Sequence, residues 1–193
     1  MNFTDRQTEI IEVSISLLAK RGIQELTIKN ISEAVGVSEP AIYRHFESKY
    51  EILFSVLSYF EVKSSPDLPI DASDNLNSLE KLESIVLERF SRFQNSPDLA
   101  KIIFSESIFQ GDERLYEKMS SIMKHHKAIL DKLITSAQRE GLIRSDIAPK
   151  ELFRMIFGSV RLLVTQWCMS GQKFNLMQEG ITLWQGLSKM VKI

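Results

Sequence analysis

A single cysteine, Cys168, stands among 193 residues, so no disulfide framework exists and the chain suits the reducing cytoplasm. Eight glycines and five prolines are too few to punctuate a protein of many short strands, and no strand-like alternation lies between turn signals. No apolar run approaches the ~20 residues of a membrane-spanning helix. Met1–Glu9 lacks the basic stretch and apolar core of a secretory signal. The three histidines carry no HExxH pattern, there is no CxxC and no glycine-rich phosphate loop, and none of the histidines has a glutamate three residues before it. His125 and His126 are adjacent and diverge by ~100° on a helix, so they do not chelate one metal by themselves. These gaps argue against an enzyme and against any metal or cofactor. His125 and His126 then read as partly exposed polar residues, and Cys168 as a buried small hydrophobe beside Trp167. A basic excess is also missing. The formal net charge is −1, and residues 1–50 hold six Lys/Arg against seven Asp/Glu, so charge alone gives nucleic acid no support.

What is present is helical periodicity in a chain that is 44% apolar and 25% charged, as in globular proteins. A first helix is expected from Thr4 to Arg21, with Ile10, Val13 and Leu17 on a stripe widened by Ile11, Ile15 and Leu18. Thr27 reads as the N-cap of a helix over Ile28–Val35, and Ser38 as the cap of another over Glu39–Phe46, with Pro40 tolerated in its first turn. Ser48 and Glu51 have capping-box spacing and open a fourth helix with Leu53, Val56, Leu57 and Phe60 on one face. The Ser/Pro/Asp-rich stretch from Lys63 to Asp74, with Pro66 and Pro69, marks a boundary between domains at 1–62 and 75–193. Five longer helices are expected behind it: Asn77–Gln94, Pro97–Gln110, Asp112–Glu140, Pro149–Ser170 and Leu176–Val191. The fold class is therefore all-α: an N-terminal head of three or four helices and a C-terminal helical domain.

Two short helices joined by a tight turn at Gly36 are the layout of a helix-turn-helix, whose second helix enters the major groove. On that helix Ile42 and Phe46 face inward, leaving Glu39, Pro40, Tyr43 and Arg44 outside. The run Gly36-Val-Ser, Ala41-Ile-Tyr-Arg-His-Phe46, Ser48-Lys49 and Leu53 resembles the DNA-binding signature of the TetR family of bacterial repressors, over about residues 5 to 60. The resemblance implies a helix-turn-helix head and a helical body that dimerises and binds ligand. It also implies roles for single residues. Thr27 and Ser38 would meet phosphates at helix N-termini. Tyr43, His45 and Lys49 would contact the backbone, and Glu39, Pro40 and Arg44 would read bases. Lys29 and Ala41 complete the DNA-facing set, Ala41 standing where the family often has a hydroxyl.

The last two helices are apolar on more than one face, which suggests a two-fold four-helix interface drawing on Gly158, Leu162, Trp184 and Leu187. The aromatic and methionine residues Phe90, Phe93, Phe104, Phe109, Tyr116, Met119, Met123 and Phe157 are candidates for an apolar effector cavity. His125, His126, Arg89, Arg92 and Gln166 are its candidate polar anchors. The function expected is a homodimeric regulator, a repressor released from a palindromic double-stranded operator by a small apolar or amphipathic ligand. Two alternatives stay open. One is a DNA-binding protein of this fold answering to a protein partner or to DNA arrangement. The other is a helical binding protein or enzyme whose head no longer binds DNA.

Overall fold

The computed structural model describes residues 3–64, 75–105 and 112–192. Among them the chain forms nine helices and no strand. They are α1 (Asp5–Arg21), α2 (Ile28–Val35), α3 (Glu39–Tyr43), α4 (Lys49–Ser64), α5 (Ser78–Asn95), α6 (Pro97–Ile103), α7 (Glu113–Arg139), α8 (Pro149–Met169) and α9 (Leu176–Val191). A 3-10 turn, Ile23–Glu25, lies between α1 and α2, and one antiparallel bridge joins Ile143 to Lys192. No helix among the described residues is long and apolar enough to cross a membrane. The expected second helix of the turn motif is shorter than its pattern: α3 ends at Tyr43, and the chain turns through His45 by an Ile42 carbonyl that accepts from the His45 and Phe46 amides. Likewise α6 stops at Ile103, and Pro66, Pro69, Phe109 and Gln110 lie outside the described residues.

The chain forms two compact units. One holds α1–α4 together with α6 and the part of α7 up to Ile122; the other holds α5, α7 from Met123, α8 and α9. In the first unit α1 starts at a Thr4–Gln7 capping box and carries Lys20 and Arg21 in its last turn, where they suit the helix dipole. Its buried face runs through Ile10, Ile11, Ile15 and Leu18, with Val13 and Leu17 only half-buried. The stripe is thus rotated from the one periodicity suggests. The cause is that α1 is packed by both α2 and α4. α4 is buried on most of its surface, at Ile52, Leu53, Val56, Leu57 and Phe60, and even at Ser55 and Ser58. The N-terminal part of α7 explains this. Lys118 pairs with Glu61, and the Arg114 guanidinium lies 3.7 Å from the centre of the Tyr50 ring. From α6, the Lys101 ammonium donates to the Ala19 carbonyl at the end of α1, where free carbonyls want a cation. Tyr59 donates to Glu12 at 2.7 Å, and burial together with that carboxylate raises the phenol to about 12.

In the second unit α5 packs chiefly on α9, and α8 on both. The close α5–α9 approach needs Gly180, because a β-carbon there would overlap the Phe90 ring. Polar ties close the ends. Gln138 donates to the Arg144 and Ile147 carbonyls at 3.0 and 2.8 Å, and the Trp167 indole donates to the Phe174 carbonyl at 2.9 Å. Cys168, expected to be buried, is half-buried. His126, expected to be partly exposed, is only 3% exposed, while its neighbour His125 is exposed. The reason is register: His126 lies on the face of α7 that buries Leu130, Leu133 and Ala137.

Candidate nucleic-acid interface

The turn between α2 and α3 rests on Gly36, whose backbone is left-handed (φ 80°). There the Gly36 and Val37 amides both donate to the Ser32 carbonyl at 2.9 Å, ending α2 within one residue. Ile31, Ile42 and Phe46 are buried beneath the motif, at 2% exposure or less, each contributing ~1.5–3 kcal/mol of transfer energy. These anchors fix which residues are left outside. Thr27, Lys29, Ser38, Glu39, Pro40, Tyr43 and Arg44 are exposed, and Ala41 and His45 are half-buried. Tyr43 keeps 52% of its surface exposed, an unusual position for a large ring on a helix of only five residues.

Thr27 caps α2 through its hydroxyl, which accepts from the Asn30 amide at 3.1 Å. Ser38 occupies the N-cap position of α3 with no side-chain cap bond, so its hydroxyl remains available to an anion, as do the first free amides of the helix. Lys29 sits 3.9 Å from Glu33 with both side chains largely in water, a pairing too weak to hold it from a phosphate. Lys49 is positioned differently from a free surface lysine. Its ammonium donates to the Ile23 carbonyl at 3.0 Å, tying the start of α4 to the 3-10 turn, and partial burial lowers its pKa. Two of its three donors remain for another acceptor. The start of α4 is a capping arrangement with a shift: Ser48 accepts from the Glu51 amide at 3.2 Å, and the Glu51 carboxylate accepts from the amide of Glu47 rather than of Ser48.

Two supports of this face were not readable from the sequence. Gln7 on α1 donates to the His45 carbonyl at 3.4 Å, and Asn30 donates to the Glu25 carbonyl at 2.7 Å. Both are amide side chains reaching backbone, a contact that leaves no periodic trace. What the geometry offers is a surface bearing hydroxyl, cationic, aromatic and acidic groups around one short helix, able to bond phosphate oxygens and base edges.

The candidate effector residues belong to both units. Phe90, Phe93, Met123 and Phe157 belong to the unit built on α5, α8 and α9, while Phe104, Tyr116 and Met119 belong to the other. Phe90 and Phe93 are buried, Phe104, Met119, Met123 and Phe157 are half-buried, and Tyr116 is exposed at 66%. Phe109 lies outside the described residues. Of the four residues expected at a dimer seam, Gly158 and Leu162 are on the protomer surface, whereas Trp184 and Leu187 are turned into the interior of their own unit. Met155 shares the exposed face of α8 with Gly158 and Leu162. Among the described residues no group of three His, Cys, Asp or Glu side chains gathers as a metal site would require.

Comparison with known proteins agrees with this geometry. Residues 10–56 match the family model described as bacterial regulatory proteins, tetR family, and residues 68–188 match that for the C-terminal region of YsiA-like protein. A fatty acid metabolism regulator protein of Bacillus subtilis (strain 168) is 27% identical over 87% of this chain and 86% of its own. The nucleoid occlusion factor SlmA of Vibrio campbellii is 22% identical over 98% of this chain and 97% of its own. Among solved structures, the transcriptional regulator FadR from Bacillus subtilis in complex with stearoyl-CoA superposes with a TM-score of 0.81, at 25% identity, over 94% of this chain and 97% of that one. The two family models together run from the helix-turn-helix head through the helical body, and the chain belongs to the TetR family of bacterial regulatory proteins, as a sequence-specific DNA-binding regulator of transcription.

Proposed function

We propose that this chain is a cytoplasmic homodimeric repressor that leaves a palindromic operator when an acyl-coenzyme A, or a related molecule with an apolar chain, binds its helical body. In this reading residues 1–62 bind DNA and residues 75–193 bind effector and dimerise. Thr27, Lys29, Ser38, Tyr43, His45 and Lys49 hold phosphates, and Glu39, Pro40, Ala41 and Arg44 face the bases. The observation that carries the reading is the exposed surface of α3 over the buried Ile42 and Phe46, on a chain resembling a fatty acid regulator and a stearoyl-CoA complex over most of its length. Release would be a population shift, the effector binding better to dimers whose heads are misplaced for DNA. The test is a titration of stearoyl-CoA and shorter acyl-CoAs into protein bound to a selected genomic fragment. Release of DNA at saturating acyl-CoA supports the proposal, and DNA binding indifferent to acyl chains of every length refutes the effector.

A second reading has its own support in the likeness to SlmA, described as a nucleoid occlusion factor, which spans nearly the whole chain. Under it the chain answers to DNA arrangement or to a protein partner, and the same titration would leave DNA binding unaltered.

A further inference from the structure

Five residues were candidate polar anchors for an effector, and the structure separates one from the rest. Gln166 and His125 are exposed. Arg92 is occupied, its Nε donating to the Glu88 carboxylate at 3.0 Å and its Nη2 to the same oxygen. His126 is buried on α7. Arg89 remains. It lies on the buried stripe of α5, one turn from Ile85 and Val86 on one side and from Phe93 on the other, and those three are at most 5% exposed. Among the described residues its guanidinium has no hydrogen-bond acceptor and no ion-pair partner, since the neighbouring carboxylate, Glu88, is taken by Arg92.

The electrostatics around it are of one sign. Burial pushes the Arg89 guanidinium down to about 10, and the nearby Arg92 charge adds to the effect against a smaller opposing pull from Glu88. His126 feels Arg89 in turn: burial, then the Arg89 charge, then His125 press it down to about 3, so it is neutral at any ordinary pH. Arg89 is half-buried, so this five-donor cation, set in an apolar stripe beside a neutral imidazole, is partly desolvated yet keeps donors within reach of a ligand. An oxyanion brought in from outside is the group that would offset that desolvation, and a guanidinium fits a carboxylate or phosphate bidentately.

We propose that Arg89 is the anion-binding anchor of the effector site, pairing its guanidinium with the acidic head of a ligand whose apolar chain packs in the same helical unit. This rests on the proposal that the chain is effector-controlled, and it adds the head-group chemistry: carboxylate or phosphate, not a neutral head. Arg89→Met keeps length while removing the charge, and because it also relieves a partly desolvated cation on an apolar stripe it is expected to fold with an unchanged or raised melting temperature.

The experiment compares wild type and Arg89→Met by calorimetry with four probes: palmitate, palmitoyl-CoA, coenzyme A alone, and hexadecanol as the neutral chain. Wild type is expected to prefer an anionic chain over hexadecanol, and Arg89→Met to weaken that ligand about tenfold or more while leaving hexadecanol within about twofold. Loss for palmitate assigns the anion to a carboxylate. Loss for palmitoyl-CoA alone, with coenzyme A itself bound weakly, assigns it to the coenzyme phosphates. Anionic chains held equally by both proteins, or all chains weakened in parallel, would overturn the role of Arg89 while leaving the effector reading in place. Failure of wild type to bind any of the four would overturn both.

Discussion

His126 shows how one residue's surroundings set a property of the folded chain. In the unfolded chain the imidazole titrates near its ordinary 6.5, whereas in the fold burial and the Arg89 charge hold it near 3. Above about pH 6.5 neither state is protonated and the contribution to stability is complete. As pH falls from 6.5 toward 3 the unfolded chain takes up a proton that the fold refuses, so stability drops by up to ~1.4 kcal/mol per pH unit. We predict that His126→Leu makes the melting temperature less sensitive to acid between pH 7 and 5. Equal pH slopes for variant and wild type would show that His126 is not held neutral. The sequence signalled neither this residue's burial nor Arg89's lack of a partner, because a polar residue on an apolar stripe carries no mark of whether a partner waits opposite. Lys49 is similar: its place in the motif was legible, but its bond to the Ile23 carbonyl depends on a backbone turn 26 residues earlier.

At the level of helices, existence and type were legible and ends were not always so. The expected α9 coincides with the structure, and α2 does as well, since their caps, Asn175 and Thr27, stand immediately before an amphipathic run. α3 falls short of its pattern because Phe46 reaches the core from a turn rather than from a continued helix. The division of α7, whose first part packs on α4, was not visible at all: a helix of 27 residues with one continuous period gives no sign of changing neighbours. The partner in close packing is similarly hidden. A helix glycine such as Gly180 allows close approach without naming what approaches, and here a β-carbon would strike the Phe90 ring. Gly180→Ala should therefore destabilise the fold by ~1–3 kcal/mol in denaturant unfolding, against the usual helical gain from alanine. Phe90→Leu in the same chain should return part of that loss, since the two sites share one contact. A Gly180→Ala variant as stable as wild type would mean that α5 and α9 are not in close register.

For the whole molecule, the family was legible because the head carries its residues in strict order, whereas the aromatic content from which the effector set was drawn does not say which residues share a unit. Composition reports how much apolar surface there is, not which way it faces. Leu162 and Met190, at 59% and 58% exposure, are large apolar side chains left on the protomer surface, while Trp184 and Leu187 fill its interior. Leu162→Glu is expected to convert a dimer to a monomer in light scattering without loss of helicity, because an exposed substitution costs the protomer little. An unchanged dimer mass would place the seam elsewhere. Dimerisation matters to the account because two heads must reach major-groove faces about 34–36 Å apart.

Selection of fragments from the source genome by the purified protein at two salt concentrations, alongside Tyr43→Ala, tests whether α3 reads DNA. A reader of DNA enriches a palindromic sequence, loses affinity steeply with salt as counterions are released, and loses about tenfold or more in the variant. No enriched sequence at low salt, or equal binding by Tyr43→Ala, would contradict the assignment of α3 as the reader of DNA.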